Sequence, residues 1–393
     1  MLKDLRIVCL SGCEWDFTWQ PTQEIMLRLA RAGNRVLYVE PTGMRSIRFG
    51  DWRRILGRLW KKVAGAKRSN ALPPALTVYA PLVLPFPHSA LARSVNRRIV
   101  LHAIRRWLGR EIGPDVALWV YFPSPLNADL VRTAGASVTV FHIMSSAEAA
   151  RPHPGILEAN EALLKGCDLI FANSRRLWEH ARRFNPRAYL FRAGVNLEVF
   201  EAGGGADTWK PTELAGLSGP VVGYVGALHE WVDVDLLAQV AKAMPDCQFA
   251  MVGPVVRDIS ALSALPNVRL LGQKPHWEIP RYVRCFDACV IPYVRNAYTE
   301  TAYPAKLNEY LALGKPVVAT PLPELVDYNR ENGDVLHLAG DASAFVRALH
   351  EAFTKTTKDV LERYHKVAQQ NSWAARVEDM SSLIEEFLGR RRA

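Results

Sequence analysis

At 393 residues, 49% hydrophobic and 22% charged, the chain has the length for two domains with a core each and the balance of a folded globular protein. No apolar run reaches the roughly 18–20 residues of a membrane-spanning helix, and the opening Met1-Leu2-Lys3-Asp4-Leu5-Arg6 leads into a strand pattern rather than a signal peptide. The net charge of +10 is uneven: residues 1–200 hold 29 Lys and Arg against 15 Asp and Glu, and residues 201–393 hold 20 against 24. The first half is therefore expected to meet something anionic, a lipid surface or lipid pyrophosphate, since no nucleic-acid recognition module accompanies the charge. Cys9, Cys13, Cys167, Cys247, Cys285 and Cys289 sit in or beside apolar segments without metal-ligand spacing, and read as free thiols of a reducing cytoplasm.

In chain order, apolar β-branched runs predict strands over 5–10, 35–39, 116–120, 137–143, 168–172 and 188–191, with helices over 22–32 and 154–165 between them. A Gly-rich stretch, Glu201-Ala-Gly-Gly-Gly-Ala-Asp207, reads as a linker. The pattern then restarts, with strands over 221–225, 248–252, 268–271, 288–292, 316–319 and 335–338 and helices over 233–243, 278–285 and 305–313. Nearly continuous apolar strands alternating with helices imply parallel sheets covered on both faces, whose ligands lie beyond the strand carboxyl ends. Three segments follow: 1–205, 206–371, and a final helix over 372–390 within 372–393 that crosses back to brace the first domain.

Residues 51–63 carry the cleanest local pattern. Trp52, Ile55, Leu56, Leu59, Trp60 and Val63 follow one helical face, and Arg53, Arg54, Arg58, Lys61 and Lys62 take the other face and its borders. Tryptophan on one side and Arg/Lys on the other describes a helix lying in a membrane interface. The same chemistry recurs over 93–110; both segments read alternatively as solvated basic helices packed on a sheet.

Chemistry concentrates in Pro304-Ala-Lys-Leu-Asn-Glu-Tyr-Leu-Ala-Leu-Gly-Lys-Pro-Val-Val-Ala-Thr320. A helix starting here supplies free N–H groups for a diphosphate, Lys306 in its first turn adds a full charge, and Glu309 can accept two vicinal hydroxyls of a ribose. Taken alone, these read better as a solvated lysine and a surface carboxylate. The segment resembles the donor-binding motif of GT-B glycosyltransferases. The chain is similar over most of its length to bacterial polysaccharide enzymes of the teichuronic-acid and exopolysaccharide type, through Trp15-Asp-Phe-Thr-Trp-Gln20, Val36-Leu-Tyr-Val-Glu-Pro41, Phe171-Ala-Asn-Ser174, Gly223-Tyr-Val-Gly226, Trp231-Val-Asp233, Gly253-Pro254, Asn267-Val-Arg-Leu-Leu-Gly272 and Phe286-Asp287 with Ile291-Pro-Tyr293.

The resemblance implies two Rossmann-like, doubly wound parallel-sheet domains facing a cleft: a membrane-facing acceptor domain and a donor domain. It places Lys306 at the donor phosphates, Glu309 at the ribose, Gly226 close to the diphosphate, and the backbone of Gln273 and Lys274 around the base, with Tyr293 as a further donor contact. His229 and Trp231, in the loop after Gly226, read equally as donor-side contacts and as packing. Where retaining relatives carry a first glutamate, this chain has Thr301, with Glu300 beside it. Val138-Thr-Val-Phe-His-Ile-Met-Ser-Ser146 resembles a strand-end motif in which related enzymes, the xanthan glucuronosyltransferase among them, place a catalytic aspartate; here the residue is Ser145. Asp16, His142 and Glu148 are the candidate substitutes, and a retaining enzyme needs no dedicated base.

Asp233-Val-Asp235 spells a metal motif, yet at a helix start Asp233 reads as a capping carboxylate, and neither a metal nor a cofactor is expected. The implied activity is hexosyl or glucuronosyl transfer from a nucleotide sugar, UDP-linked by preference, to a lipid-linked glycan acceptor. The implied place is the inner face of the cell membrane, peripherally bound. A catalytically silent sugar-nucleotide binder of a polysaccharide-assembly complex is the alternative; an epimerase or a phosphorylase is weaker.

Overall fold

The computed structural model describes residues 1–16, 19–41, 72–84, 86, 89–149, 153–202 and 211–392. Trp52, Arg53, Arg54, Arg58, Trp60, Lys61 and Lys62, and the basic segment they belong to, lie outside the described residues. Contacts divide the chain into two units: Met1–Ala172, Leu177–Leu190 and Val377–Ala393 form the first, Asn173–Arg176 and Phe191–Arg376 the second. The change between them falls at Leu190/Phe191, ahead of the Gly-rich stretch.

In unit 1, β1 (Arg6–Leu10), β2 (Arg35–Val39), β3 (Leu76–Tyr79), β4 (Val116–Val120), β5 (Val138–Ile143), β6 (Leu169–Ala172) and β7 (Ala188–Leu190) build a sheet of order β3-β2-β1-β4-β5-β6-β7. Each adjacent pair is parallel. Helices α1 (Pro21–Arg31), α2 (Ala90–Leu108), α3 (Pro125–Thr133), α4 (Pro154–Gly166) and α5 (Arg175–Arg182) make the crossovers. One core gathers Val8, Leu10, Leu118, Val120, Phe141 and Ile143 with Val100, Ile104, Leu130 and Leu163 of the helices. Strand β3 is absent from the sequence pattern because Leu-Thr-Val-Tyr is a four-residue edge strand with only one fully buried side chain.

Unit 2 repeats the plan. Strands β8 (Val221–Val225), β9 (Gln248–Val252), β10 (Val268–Gly272), β11 (Ala288–Ile291), β12 (Val317–Ala319) and β13 (His337–Leu338) run parallel in the order β10-β9-β8-β11-β12-β13. Its helices are α6 (Leu197–Ala202), α7 (Val234–Ala243), α8 (Ser260–Ser263), α9 (Ile279–Arg284), α10 (Lys306–Ala312), α11 (Pro323–Asn332), α12 (Ala342–Lys355) and α13 (Lys358–Gln370). The last helix, α14 (Trp373–Arg392), starts in unit 2, and its residues from Val377 onward group with unit 1, burying Met380, Ile384 and Leu388 at helical spacing. Among the described residues no helix is long and apolar enough to cross a membrane.

The β8 core admits no extra methyl. A Cβ on Gly223 would lie 1.9 Å from the Phe286 ring, itself fully buried. Gly223→Ala is expected to cost about 1–3 kcal/mol by overpacking, read as a lower urea midpoint with an unchanged slope.

Candidate active site

In both sheets the strand order reverses beside the first strand of the unit, which is where doubly wound sheets take ligands. In unit 2 that point is the carboxyl end of β8 and β11. The chain leaves β8 through Gly226 at φ +137° and β9 through Gly253 at φ +149°. A Cβ on Gly253 would meet the Gly226 carbonyl oxygen at 2.1 Å, and one on Gly226 would meet the Lys306 ammonium at 2.6 Å. Both positions favour glycine for backbone angle, and Gly253 also for space, because its neighbour is backbone.

Lys306 opens α10, and its Nζ lies 3.9 Å from the centre of the Tyr224 ring and 5.4 Å from that of Tyr293. Among the described residues it makes no ion pair. Burial pushes its pKa down to about 7, with Glu309 pulling weakly the other way. The helix is only seven residues long, so the positive charge at this point rests on Lys306 more than on a macrodipole. The frame around it is tight. Tyr310 OH accepts from Val225 N–H at 2.8 Å, and Asn308 donates to Tyr303 OH and to the Ala193 carbonyl while accepting from Tyr328 OH.

Glu309 lies one turn further, its Oε1 3.2 Å from His276 Nε2, and the His276 ring meets Phe200 edge-on. His276 is a residue that the sequence reading missed. Its partner stands 33 positions away, and nothing in its own neighbourhood marks it. Gln273 is exposed. The Lys274 side chain is committed to Glu213 at 2.7 Å, which holds that carboxyl down at about 2. The Lys274 side chain is thus not free to frame a base.

His229 and Trp231 stack at 3.8 Å, and Trp231 stacks on Tyr298 at 5.5 Å. The loop bearing them is tied to the β11 exit, through Asp233 N–H to the Pro292 carbonyl and Val294 N–H to the Trp231 carbonyl. Asp233 caps α7, accepting from Leu236 N–H at 2.8 Å, as its position predicts. Glu300 is held by Arg176 at 2.8 Å, and the Thr301 hydroxyl donates to the Tyr298 carbonyl. Neither side chain is thus left idle. The Thr301 carbonyl accepts from Ser174.

In unit 1, Asp16 is exposed on a loop fixed from beneath. Tyr38 OH and Ser11 Oγ donate to the Cys13 carbonyl, Glu40 accepts from Trp15 N–H, and Trp15 packs edge-on against Tyr38. Glu148 accepts from Ser146 Oγ at 2.9 Å and faces His180 at 3.5 Å. His142 lies at 1% exposure among Trp119, Tyr121 and Phe171, and burial lowers its pKa to about 3. A base must reach the hydroxyl it deprotonates. The buried ring offers that hydroxyl no surface, whereas Asp16 does.

A recess of about 490 Å³ opens at the other edge of unit 2, near Pro220, Asp287 and Pro316 at the strand amino ends. Lys315, which lines it, donates to the Arg284 carbonyl. That lysine caps the end of α9.

Residues 219–355 match the family described as glycosyl transferases group 1. Over 141 residues the chain is 37% identical to a Bacillus subtilis (strain 168) protein described as a teichuronic acid biosynthesis glycosyltransferase, TuaH; the match covers 35% of each chain, about a third of that relative's length. Among solved structures, sucrose-phosphate synthase of Thermosynechococcus elongatus superposes with a TM-score of 0.70 at 16% identity, covering 98% of this chain and all of that one. Anabaena HepE in complex with UDP gives 0.66 at 13%, covering 97% and 99%, and WaaG, of lipopolysaccharide biosynthesis, gives 0.66 at 11% with the same coverage. Likeness at these identities speaks for the fold. Residues 219–355 match the group 1 glycosyl transferases, and the chain carries the GT-B fold of two parallel-sheet α/β units.

Proposed function

We propose that the chain transfers a sugar, hexosyl or glucuronosyl, from a UDP-sugar to a lipid-linked glycan acceptor in polysaccharide biosynthesis, without a metal ion or cofactor, from a peripheral position on the cytoplasmic face of the membrane. The observation that carries the reading is Lys306, a buried cation with no ion pair among the described residues, packed against Gly226 where a side chain would displace it. Such a cation stabilises the negative charge that builds on the departing nucleotide. Glu309 takes the ribose hydroxyls, and Asp16 is the acceptor-side carboxylate open to a sugar hydroxyl. The basic segment over 51–63 and the positive balance of residues 1–200 support the lipid-side acceptor.

Calorimetric titration with UDP and GDP, with and without EDTA, tests this. UDP is expected to bind with EDTA present, and Glu309→Ala to weaken it roughly 10- to 100-fold by removing hydrogen bonds to a charged acceptor. No nucleotide binding in the unaltered chain would sink the reading. The Glu300–Arg176 pair and the neutral Thr301 favour a second one, a silent sugar-nucleotide binder, because they leave no free carboxylate at the first glutamate position. Product formed with a lipid-linked acceptor separates the two.

His276 orients Glu309 in this scheme. His276→Ala is expected to raise the UDP dissociation constant roughly threefold to tenfold, the range of one weakened hydrogen bond, with kcat nearly unchanged. His276→Gln, which can still donate to Glu309, is expected to recover most of the affinity; a fall in kcat alone would contradict this.

A further inference from the structure

The stretch from β3 to the first turn of α2 exposes large apolar side chains in succession: Leu82 at 60%, Leu84 at 40%, Phe86 at 62% and Leu91 at 77%. The other exposed large apolar residues among those described are spread over α4, unit 2 and α11. Leu84 and Phe86 are held in place. Both backbone groups of Leu84 are gripped by the buried Asn96, whose Oδ1 accepts at 2.7 Å and whose Nδ2 donates at 2.9 Å. Ser89 N–H donates to the Phe86 carbonyl, and Ser89 Oγ caps α2. Val83 turns inward to the core, so its neighbours Leu82 and Leu84 both turn outward. Apolar side chains gathered in water at one place call for an occupant.

The surrounding charge says which one. Helix α2 has nineteen residues and no acidic side chain. Leu91, Arg98, His102 and Arg105 share its exposed face. Arg93 and Arg105 are paired with Asp129 and Glu111. Arg97, Arg98 and Arg106 make no ion pair among the described residues. Apolar tips that lead into a helix bearing guanidinium groups without an ion pair among the described residues match the layering of a bilayer surface, acyl chains within and phosphates at the rim.

We propose that Leu82, Leu84, Phe86 and Leu91, with Arg97, Arg98 and Arg106 of α2, form a docking surface for an anionic lipid bilayer. The proposal rests on the membrane placement argued above and adds a contact that the basic segment over 51–63 does not supply.

The test is co-sedimentation of the full chain with vesicles of phosphatidylglycerol or of phosphatidylcholine. Binding is expected to the first and to weaken with salt. Substituting Leu84, Phe86 and Leu91 together by serine is expected to lower partitioning about tenfold or more, given the apolar area lost from the interface. All three are exposed, so the fold should stand, and UDP titration of the variant checks that directly. Unchanged partitioning would overturn the proposal and leave membrane contact to other segments. A dimer in vesicle-free solution that the triple variant breaks would equally overturn it, making the patch a contact between copies. If UDP fails to bind even the unaltered chain while vesicle binding depends on the loop, the glycosyltransferase reading falls and the docking surface stands.

Discussion

Replacing Lys306 by methionine is expected to lower kcat on the order of 10²- to 10³-fold, the scale of losing one preorganised group that meets developing negative charge, while making the protein more stable near neutral pH. The opposite signs share one cause. The ammonium lies against the Tyr224 ring with no carboxylate paired to it among the described residues, and burial lowers its pKa to about 7. The unfolded chain returns it to about 10.4. Between those two values the unfolded state holds more protons, so stability rises with pH across that window, and the cost of burying the charge is fully present below about pH 7. Methionine keeps the length and removes the charge, so its stability advantage should be largest below pH 7 and vanish near pH 10.

The same titration governs ligand binding. A bound diphosphate restores the lysine's counter-charge and raises its pKa, so binding at pH 8 takes up a proton and weakens as pH rises further. Calorimetry in buffers of different ionisation enthalpy reads that proton. Lys306→Met should abolish the uptake; if it persists in the variant, another group is titrating and the assignment of Lys306 to the phosphates fails.

Local signals were legible where one residue type answers one physical demand. Strands buried on both faces read as unbroken apolar runs, and β2, β4, β8 and β9 match their expected limits residue for residue. Gly226 and Asp233 announce themselves because a positive φ and a helix cap each favour few residues. Pairings across the chain leave no such mark. His276 on Glu309, Arg176 on Glu300 and Asn96 on Leu84 depend on which loops the fold brings together. The buried His142 shows the converse limit. Its strand-end position looked reactive, but the strand's period alone could not say that this face is closed by Trp119, Tyr121 and Phe171.

Arg192→Met is expected to be the most destabilising of these changes, at about 3–5 kcal/mol, the cost of leaving a buried charge without its partner. Arg192 and Glu324 are 8% and 2% exposed and meet at 2.5 Å, and Arg192 reaches Glu331 at the same distance. Without the guanidinium, Glu324 keeps, among the described residues, the Arg175 N–H at 2.7 Å. The carboxylate can escape by taking a proton, and burial already pushes its pKa up. The gap between unaltered chain and variant should therefore narrow as pH falls. Arg192→Met combined with Glu324→Gln should recover much of the loss, since a neutral amide still accepts from Arg175. A gap that ignores pH, or a double variant no better than the single, would place the cost in packing over Tyr328 rather than in the orphaned charge. The effect should also reach the donor end. The strand of chain that Arg192 anchors passes through Ala193, whose carbonyl accepts from Asn308 of α10, and through Val195, bridged to Ser372. The same helix presents Lys306 and Glu309. Loosening that anchor should raise the UDP dissociation constant in the fraction that stays folded, and affinity equal to that of the unaltered chain would mean that α10 is held by Tyr310 and Tyr328 alone.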